Sequence, residues 1–364
     1  MTTVLIAGGG TGGHLMPALA IADRLHLERP DWRVVLVGAQ RGVEARLLPT
    51  RAYPYHLLAA EPIYRRQWWK NLRWPAIAWR LLSDVDRLLD VEQPAIVLGT
   101  GGYASGPVLW RAAMKGIPTA ILEQDAYPGL TSRWLARRVR HVYLGAPEAR
   151  QHLRLGARTE VFVTGCPILL PEPALRGTAH ATFGLDPLKP VVLVTGGSQG
   201  AIAINQAVAD WIRSGGAAGI QVLWATGRGT WEQFRACHAP PGVQVFDFLD
   251  PIAPALAAAD LAVARAGAMT IAELTAWAIP SILIPLPTAA ADHQTRNAAV
   301  LAEAGAAVWL PQSELTPERL GQEIGRLLHD GALRGRMAEA SRTRGKPGAT
   351  AAILGHLYHL GGPT

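Results

Sequence analysis

The chain of 364 residues is 49% hydrophobic and 17% charged, which excludes a disordered protein and, at this length, favours two domains over one. Its only cysteines, Cys166 and Cys237, argue against both a disulfide framework and a structural metal site. The net charge of +7 is concentrated in residues 1–165, where 21 Lys and Arg stand against 13 Asp and Glu, whereas residues 166–364 hold 14 against 15.

The positive first half is expected to face an anionic partner, which could be a membrane surface, a pyrophosphate or a nucleic acid. No stretch of about 18 uncharged apolar residues occurs, so a membrane-spanning helix is not expected. The N-terminus runs directly into a predicted strand without a charged leader or a cleavage site, which favours a cytoplasmic protein.

Short apolar runs rich in β-branched residues alternate with helical stretches along the chain. Strands are predicted at 3–7, 33–38, 95–99, 118–123, 141–144, 191–195, 220–225, 243–246, 261–264 and 281–285. Helices are predicted at 17–28, 76–91, 105–115, 201–213, 269–278, 294–304, 316–329 and 349–360.

This alternation predicts an α/β protein with two doubly wound, Rossmann-like domains facing a cleft. The pattern restarts near residue 190, after a Pro-rich linker, so the domains are predicted at 1–165 and 166–345. A last helix, at about 346–364, is expected to pack back on the first domain.

Three glycine-rich loops each follow a predicted strand directly. Loop 1 is Gly8-Gly9-Gly10-Thr11-Gly12-Gly13, loop 2 is Gly99-Thr100-Gly101-Gly102-Tyr103, and loop 3 is Gly196-Gly197-Ser198-Gln199-Gly200. Glycine lets backbone N–H groups approach a ligand closely, and a helix that starts behind the loop adds partial positive charge. One such loop could be a plain strand–helix turn, but three of them, divided between the two halves, predict phosphate binding by both domains.

Loop 1 formally spells the G-x-G-x-x-G pattern, but the sequence disfavours both a dinucleotide site and a Walker A loop. The G-x-G-x-x-G pattern of a dinucleotide site needs an acid at the end of the second strand, but the next acid here is Glu44. A Walker A loop needs Lys after its last glycine, where this chain has His14.

Two residues of the first half are candidates for acid–base chemistry. His14 opens a predicted helix, whose N-terminus disfavours the imidazolium form and keeps a ring that can accept a proton. Glu123 ends a predicted strand, at the sheet edge where ligands collect. A capping or packing role for His14, and an ion pair with Arg for Glu123, remain alternatives.

In the second half, Arg265-Ala266-Gly267-Ala268-Met269-Thr270 leads into a helix that carries Glu273. A carboxylate in the first helical turn could accept two hydrogen bonds from a ribose diol, although capping is an alternative role. Gln294 follows a Pro-rich loop and has donor and acceptor capacity for sugar hydroxyls, unless it is only loop polarity.

Asp84-Val85-Asp86 has the D-x-D form of a metal–diphosphate site but lies in a predicted helix, where residues i and i+2 point apart. We therefore interpret it as a solvated helix face and expect no metal site.

Residues 63–80 contain four Trp, one Tyr and five cations, with no acid between Glu61 and Asp84. Trp and cations together suit the headgroup region of an anionic leaflet. Stacking on single-stranded nucleic acid, and Trp in the core with Arg reaching outward, are the alternatives. The membrane interpretation predicts docking through Trp68, Trp69, Lys70, Arg73 and Trp74.

The motifs, in this order, resemble those of the MurG family of N-acetylglucosaminyltransferases, which convert lipid I to lipid II. The resemblance runs from about residue 4 to 355. It rests on the following residues: Gly9-Gly10-Thr11-Gly12-Gly13-His14, Gly99-Thr100-Gly101-Gly102-Tyr103, Glu123-Gln124, Gly129-Leu130-Thr131, loop 3 with Ala201 and Asn205, and Arg265-Ala266-Gly267-Ala268 with Thr270 and Glu273.

The resemblance implies the glycosyltransferase B architecture, an inverting mechanism and no cofactor or catalytic metal. It implies that the UDP-sugar binds mostly to the second domain, with the diphosphate near Gly197, Ser198 and Gln199. Uracil would meet the backbone of Leu249. The remaining donor contacts would come from Ala268, Met269, Thr270, Glu273 and Gln294, completed by Thr11, Gly12 and Gly13.

The lipid-linked acceptor would lie against loops 1 and 2, with contacts from Gly101, Gly102, Tyr103 and Asp125. Two positions depart from the family pattern: Asp125 replaces a common Asn, and Leu169 stands where Arg is expected near the donor.

The expected reaction moves N-acetylglucosamine from its UDP donor to the C4 hydroxyl of undecaprenyl-pyrophosphoryl-N-acetylmuramyl-pentapeptide, with inversion. His14 is the first candidate for the base and Glu123 the second, while loop 3 stabilises the departing UDP. The expected location is the cytoplasmic face of the membrane, as a peripheral protein bound to anionic lipids rather than to nucleic acid. A UDP-N-acetylglucosamine 2-epimerase of the same fold and a non-enzymatic basic binding module are the alternatives.

Overall fold

The computed structural model describes residues 2–61, 74–172, 174–197 and 199–361, without the side chains of residues 74–77. The chain divides into two compact units. The first unit is Met1–Ile168 with Gly348–Thr364, and the second unit is Leu169–Pro347.

The first unit is built on a parallel sheet in which seven strands are described. The strands are β1 (Thr3–Ala7), β2 (Arg33–Ala39), β3 (Tyr55–Leu58), β4 (Ile96–Gly99), β5 (Thr119–Glu123), β6 (His141–Leu144) and β7 (Glu160–Val163). Their order is β3-β2-β1-β4-β5-β6-β7, so the chain switches direction across the sheet between β1 and β4. β1 and β4 are completely buried, because helices cover both faces.

The helices of the first unit connect these strands and cover the sheet. They are α1 (Gly12–Glu28), α2 (Glu44–Leu47), α3 (Trp74–Glu92), α4 (Ser105–Met114) and α5 (Leu130–Leu135). Two separate apolar clusters result, one on each face of the sheet.

The second unit repeats the design with a described parallel sheet of six strands. The strands are β8 (Val191–Thr195), β9 (Gln221–Ala225), β10 (Val243–Phe246), β11 (Leu261–Ala264), β12 (Ser281–Leu283) and β13 (Ala307–Trp309). The order is β10-β9-β8-β11-β12-β13, with the switch between β8 and β11.

Helices again cover both faces of this sheet. They are α6 (Leu175–Thr182), α7 (Ile202–Arg213), α8 (Trp231–Phe234), α9 (Ala253–Ala258), α10 (Ala268–Ala276), α11 (His293–Glu303), α12 (Pro317–His329) and α13 (Gly331–Arg344).

The last helix, α14 (Ala349–Gly361), belongs to the first unit. Its Ile353, Leu354 and Leu357 are fully buried in the apolar cluster that also contains Val4 and Ile6. The end of the chain therefore completes the core around its beginning.

The predicted α/β class is confirmed, and all ten predicted strands are present within one or two residues at their ends. The sequence did not predict β3, β7 and β13, which are edge strands with mixed exposure and therefore lack a continuous apolar run. Helix α1 begins at Gly12 rather than at residue 17, and Gly12 and Gly13 are poor helix formers that hide its first turn.

Candidate active site

Topology places the predicted site residues at the carboxyl edge of each sheet, on either side of the switch point. In the first unit, Ala7 of β1 pairs with Gly99 of β4, so loops 1 and 2 are neighbours. In the second unit, Thr195 of β8 pairs with Ala264 of β11, so loop 3 lies beside the loop that starts at Arg265. Ligands of open α/β sheets bind at such positions.

Loops 1 and 2 contact each other without space for side chains. A Cβ added to Gly102 would stand 1.9 Å from the carbonyl oxygen of Gly9, and one added to Gly10 would stand 2.6 Å from Cε1 of Tyr103. Gly10 and Gly102 also have φ angles of 91° and 83°, which other residues rarely adopt. Glycine is thus required here both for conformation and for contact.

His14 is the third residue of α1 and is half-buried beside loop 2. Its Nδ1 lies 3.1 Å from the hydroxyl of Thr11, and its Cδ2 would lie 2.5 Å from a Cβ at Gly101. The hydroxyl of Thr100 donates to the carbonyl oxygen of His14 at 2.8 Å. The structure therefore brings together four predicted site residues: Thr11, His14, Gly101 and Gly102.

Gln124 links this arrangement to β5. Its buried side-chain amide donates to the carbonyl oxygen of Thr100 at 2.6 Å. No role for Gln124 was predicted beyond its place in the resemblance, because a carboxamide carries no charge that would indicate a contact across the sheet.

Glu123 is buried at the end of β5 and shapes the loop before α5. Its two oxygens accept hydrogen bonds from the backbone N–H of Asp125 at 3.1 Å and of Gly129 at 2.9 Å. Burial, and then the charge of the half-buried Asp125, raise the pKa of Glu123 to about 7. Among the residues that the structure describes, no arginine pairs with Glu123, so the ion-pair alternative does not apply there.

Glu44 is a buried acid whose position the sequence did not predict. One carboxyl oxygen, Oε1, accepts from the N–H of Gly10 at 2.8 Å and from the N–H of Ala39 at 2.9 Å. The N–H of Gly10 is therefore engaged within the protein. The sequence signal for this buried acid was its position shortly after Gly38 and Gly42, in the segment that follows β2.

Loop 3 lies against the loop that follows β9. A Cβ added to Gly200 would stand 2.2 Å from the carbonyl oxygen of Thr226, and Gly197 and Gly200 have φ angles near 80°. Fully buried Asn205 fixes this contact, because its Nδ2 donates to the carbonyl oxygen of Thr226 at 2.8 Å. Gln199 is exposed, and Ser198 lies outside the described residues.

Arg265 is a buried cation at the carboxyl ends of the strands. Its guanidinium donates to the carbonyl oxygens of Ile284 and Pro285 and to Oε1 of Gln312, at 2.7–3.1 Å. In the described part of the chain no carboxylate pairs with it, and burial lowers its pKa. The carboxyl edge of the second sheet therefore holds a positive charge that, among the described residues, is stabilised by carbonyl and amide dipoles rather than by a carboxylate.

Helix α10 begins behind Arg265 with Gly267 as its N-cap. The N–H groups of Ala268, Met269 and Thr270 are in its first turn, where no intrahelical acceptor exists. Glu273 is the sixth residue of the helix, so the expectation of a first-turn carboxylate is wrong by one turn, and N-terminal capping is excluded with it. No described residue bonds its carboxyl group, and burial alone raises its pKa to about 7.

Leu249 and Gln294 also lie in the second unit. The side chain of Leu249 is in the core, while its backbone N–H and C=O have no partner among the described residues. Gln294 accepts from the N–H of Leu286 at 2.9 Å, which leaves its amide N–H₂ available. Asn297, which the sequence did not indicate, donates to the carbonyl oxygen of Ala266 at 3.1 Å and so supports the loop before α10.

The predicted membrane residues Trp68, Trp69, Lys70 and Arg73 lie outside the described residues, as does the side chain of Trp74. Within the described ranges, no helix is long and apolar enough to span a membrane, and no cluster of His, Cys, Asp or Glu could hold a metal ion. Asp84 and Asp86 contact different arginines, Arg87 and Arg111, as expected for residues that point apart.

The chain is similar to known proteins over almost its whole length. Residues 4–144 match the glycosyltransferase family 28 N-terminal domain, and residues 191–352 match the glycosyltransferase family 28 C-terminal domain. The chain is 40% identical, over 98% of its length and 96% of the relative's, to the UDP-N-acetylglucosamine–N-acetylmuramyl-(pentapeptide) pyrophosphoryl-undecaprenol N-acetylglucosamine transferase of Salinibacter ruber. It is 37% identical, over 96% of its length and 97% of the relative's, to the protein of that name from Desulfitobacterium hafniense.

Solved structures also resemble the structure of this chain. The crystal structure of MurG from Acinetobacter baumannii aligns with a TM-score of 0.78 at 28% identity, over 98% of this chain and 99% of that one. A UDP-GlcNAc 2-epimerase from Neisseria meningitidis, solved with UDP-GlcNAc, aligns with a TM-score of 0.66 at 14% identity, over 99% and 100% of the two chains. The second likeness shows a shared fold only.

Proposed function

Since the chain belongs to the MurG family of family 28 glycosyltransferases, we propose that it transfers N-acetylglucosamine from UDP-N-acetylglucosamine to undecaprenyl-pyrophosphoryl-N-acetylmuramyl-pentapeptide. The new bond forms at the C4 hydroxyl of the acceptor sugar, with inversion at the donor carbon. The product is lipid II, the precursor of peptidoglycan.

The observation that carries the proposal is the state of Glu273. This carboxyl group is half-buried without any described partner, one turn behind three amides of α10 that lack an intrahelical acceptor, and its helix follows buried Arg265 in the chain. A desolvated acceptor of this kind suits the two hydroxyls of a ribose, while amides and a cation suit the adjoining diphosphate. The second unit is therefore assigned the UDP-sugar.

The other parts of the UDP-sugar are also assigned to the carboxyl edge of the second sheet. Loop 3 and the start of α7 provide N–H groups for the phosphate that leaves with UDP, and such preorganised donors lower the barrier to departure. Uracil meets the unpaired backbone groups of Leu249, and the free amide of Gln294 meets the sugar. Leu169, where the family has Arg, removes one cation from this assignment.

The acceptor is assigned to the first unit. His14 is held by Thr11 and by loop 2, with its ring half-buried rather than sealed. It accepts the proton of the attacking hydroxyl, because a general base must be accessible and correctly oriented. Glu123 is a weaker candidate, since both of its oxygens accept backbone hydrogen bonds.

The proposal places the protein at the cytoplasmic face of the membrane as a peripheral protein bound to anionic lipids. Support comes from the first unit, which carries the whole positive excess and exposes three large apolar side chains on neighbouring helices: Trp79 (73%), Met114 (59%) and Trp134 (63%). Trp at a surface with cations suits the headgroup region.

The test is transfer of radiolabelled N-acetylglucosamine from its UDP conjugate to a lipid I analogue. We expect label in the lipid fraction, with a β-linkage to the C4 oxygen by NMR. Conversion of the donor to an epimer without transfer would instead show a 2-epimerase, and absence of UDP binding by calorimetry would show a non-enzymatic module.

A further inference from the structure

We infer that Glu44 is the residue that positions loop 1 and, through it, His14. The inference rests on the proposed function for its kinetic consequences, but the contacts that carry it are independent of that function. Glu44 lies neither in loop 1 nor in loop 2, and it touches no predicted substrate group.

Glu44 is fully buried and joins two parts of the chain that are far apart in sequence. Through Oε1 alone it accepts from the N–H of Ala39, the last residue of β2, and from the N–H of Gly10 in loop 1. One atom therefore fixes the distance between the end of β2 and the loop that follows β1.

Three glycines make room for this side chain. A Cβ at Gly9, Gly38 or Gly42 would stand 2.1–2.4 Å from atoms of Glu44, so a side chain at any of these positions would displace the Glu44 side chain. Two of these glycines lie outside the loop 1 motif, which shows that the surroundings are built around the carboxyl group and not only around a ligand.

The second oxygen, Oε2, is buried without a hydrogen-bond partner among the described residues. A buried polar atom in this state is destabilising, because the loss of its hydration is not compensated by a hydrogen bond. Stability alone therefore does not account for a glutamate at this position, whereas the two contacts of Oε1 give it a purpose.

Glu44 affects the position of His14, the candidate base, through Gly10 and then Thr11. Gly10 precedes Thr11, the N-cap of α1, and the hydroxyl of Thr11 lies 3.1 Å from Nδ1 of His14. Releasing Gly10 frees the backbone on which Thr11 and His14 depend, and a misplacement of about 1 Å at a reacting group can cost about 100-fold in rate.

Because the N–H of Gly10 already donates to Glu44, it is not available to a ligand of loop 1. In a dinucleotide fold the corresponding amides face a pyrophosphate, and the acid after β2 binds a ribose. Here the acid turns inward and takes the N–H of Gly10 itself. The N–H of Gly10 is therefore taken up inside the protein, and loop 1 differs from a dinucleotide-binding loop at this position.

The experiment compares Glu44→Asp, Glu44→Gln and Glu44→Ala in the full chain. Aspartate is shorter by one methylene, about 1.5 Å, and cannot reach both amides, whereas glutamine keeps the acceptor oxygen at full length. We expect kcat to fall about 30- to 100-fold in the Asp and Ala variants, with KM for UDP-N-acetylglucosamine within about twofold. Glu44→Gln should recover kcat to within about threefold of wild type.

Glu92→Gln is the matched control. Glu92 is also a carboxyl of the first unit with a largely buried side chain, but it contacts Arg33 at the start of β2 and His56 of β3 rather than loop 1. Its kcat should stay at the wild-type value. The inference is overturned if folded Glu44→Asp keeps full kcat, or if Glu44→Gln loses as much rate as Glu44→Ala.

A spectroscopic measurement separates this inference from the proposed function. In ¹⁵N and ¹³C NMR spectra, Glu44→Asp should move the amide signal of Gly10 and the ring signals of His14, while Glu92→Gln should move neither. A wild-type protein without transferase activity would end the proposed function and leave this measurement to decide the inference. If Glu44→Ala does not fold, the Asp and Gln variants decide it.

Discussion

The carbonyl oxygen of Gly9 occupies the space that a side chain at Gly102 would need, since a Cβ there would stand 1.9 Å from it. Loops 1 and 2 of the first unit are thus in backbone contact, and the geometry around His14 depends on that contact. A change in the backbone of one loop would therefore displace the other loop.

Gly102→Ala is expected to abolish activity and to destabilise the protein by well over 1 kcal/mol, because it adds both a clash and an unfavourable φ of 83°. Gly116→Ala is the control, since its φ is 77° but no atom lies within 4 Å of the added Cβ. It should cost only about 1 kcal/mol and keep activity. Urea unfolding and transfer assays measure both, and equal losses in the two variants would contradict the contact.

Glu273→Gln is expected to weaken UDP binding about 10-fold or more, because an amide accepts hydrogen bonds from a diol less strongly than a carboxylate. Burial raises the pKa of Glu273 from 4.5 to about 7, so the folded state holds the proton that the unfolded state releases. Stability contributed by this group is lost as pH rises from about 4.5 through 7. The variant should therefore be at least as stable as wild type at pH 8.

Calorimetry of UDP binding and thermal unfolding at pH 8 test this prediction together. Glu303→Gln, at the exposed last residue of α11, is the control and should change neither. A variant that binds UDP normally would remove Glu273 from the ribose.

His14→Ala should keep UDP-N-acetylglucosamine affinity within about twofold, because the donor is assigned to the second unit, but should reduce turnover about 100-fold or more as a general base is lost. His26→Ala, on the exposed face of the same helix, should retain turnover. Normal turnover in His14→Ala would leave Glu123 as the candidate.

The docking of α14 should weaken in acid. His356 of α14 stacks on Phe162 at 3.7 Å, beside His141, and burial lowers the pKa of both histidines. Glu160 opposes this shift at both rings, while Arg140 adds to it at His141 and His359 adds to it at His356.

A lowered histidine pKa means that the unfolded state takes up the proton first, so stability is complete above pH 6.5 and falls as pH drops below it. His356→Phe should show a smaller loss between pH 7.5 and 5.5 than wild type in urea unfolding. An identical loss in both proteins would contradict the prediction.

Replacing Trp68, Trp69 and Trp74 by Ser should weaken sedimentation with anionic vesicles severalfold, and added salt should weaken it further, because apolar and electrostatic contributions act together. Trp309→Ser is the control, since Trp309 is 41% exposed but belongs to the second unit. Unchanged sedimentation of the triple variant would remove this stretch from membrane docking.

The sequence predicted the parts of the fold that repeat a strong pattern. Buried strands such as Val191–Thr195 are continuous apolar runs and were predicted at their observed bounds, whereas β7, with two of its four residues exposed, has no such run. The glycine loops were found for the same reason, since glycine clusters after strands are visible without a structure.

Residues that act through a single distant contact could not be predicted. Glu44, Gln124 and Asn297 each bond a backbone group at least 24 residues away or in another element, and no local pattern records such a pairing. Arg265 was visible as part of a motif, but its role depends on the carbonyl groups of Ile284 and Pro285, which directly follow β12.

The position of α14 in the first unit has a consequence for synthesis. A ribosome makes residues 169–347 before it makes the helix that covers Val4 and Ile6, so the nascent first unit waits with an apolar groove uncovered. The first unit is therefore complete only after the second unit has been made, and apolar surface exposed in such an interval favours aggregation.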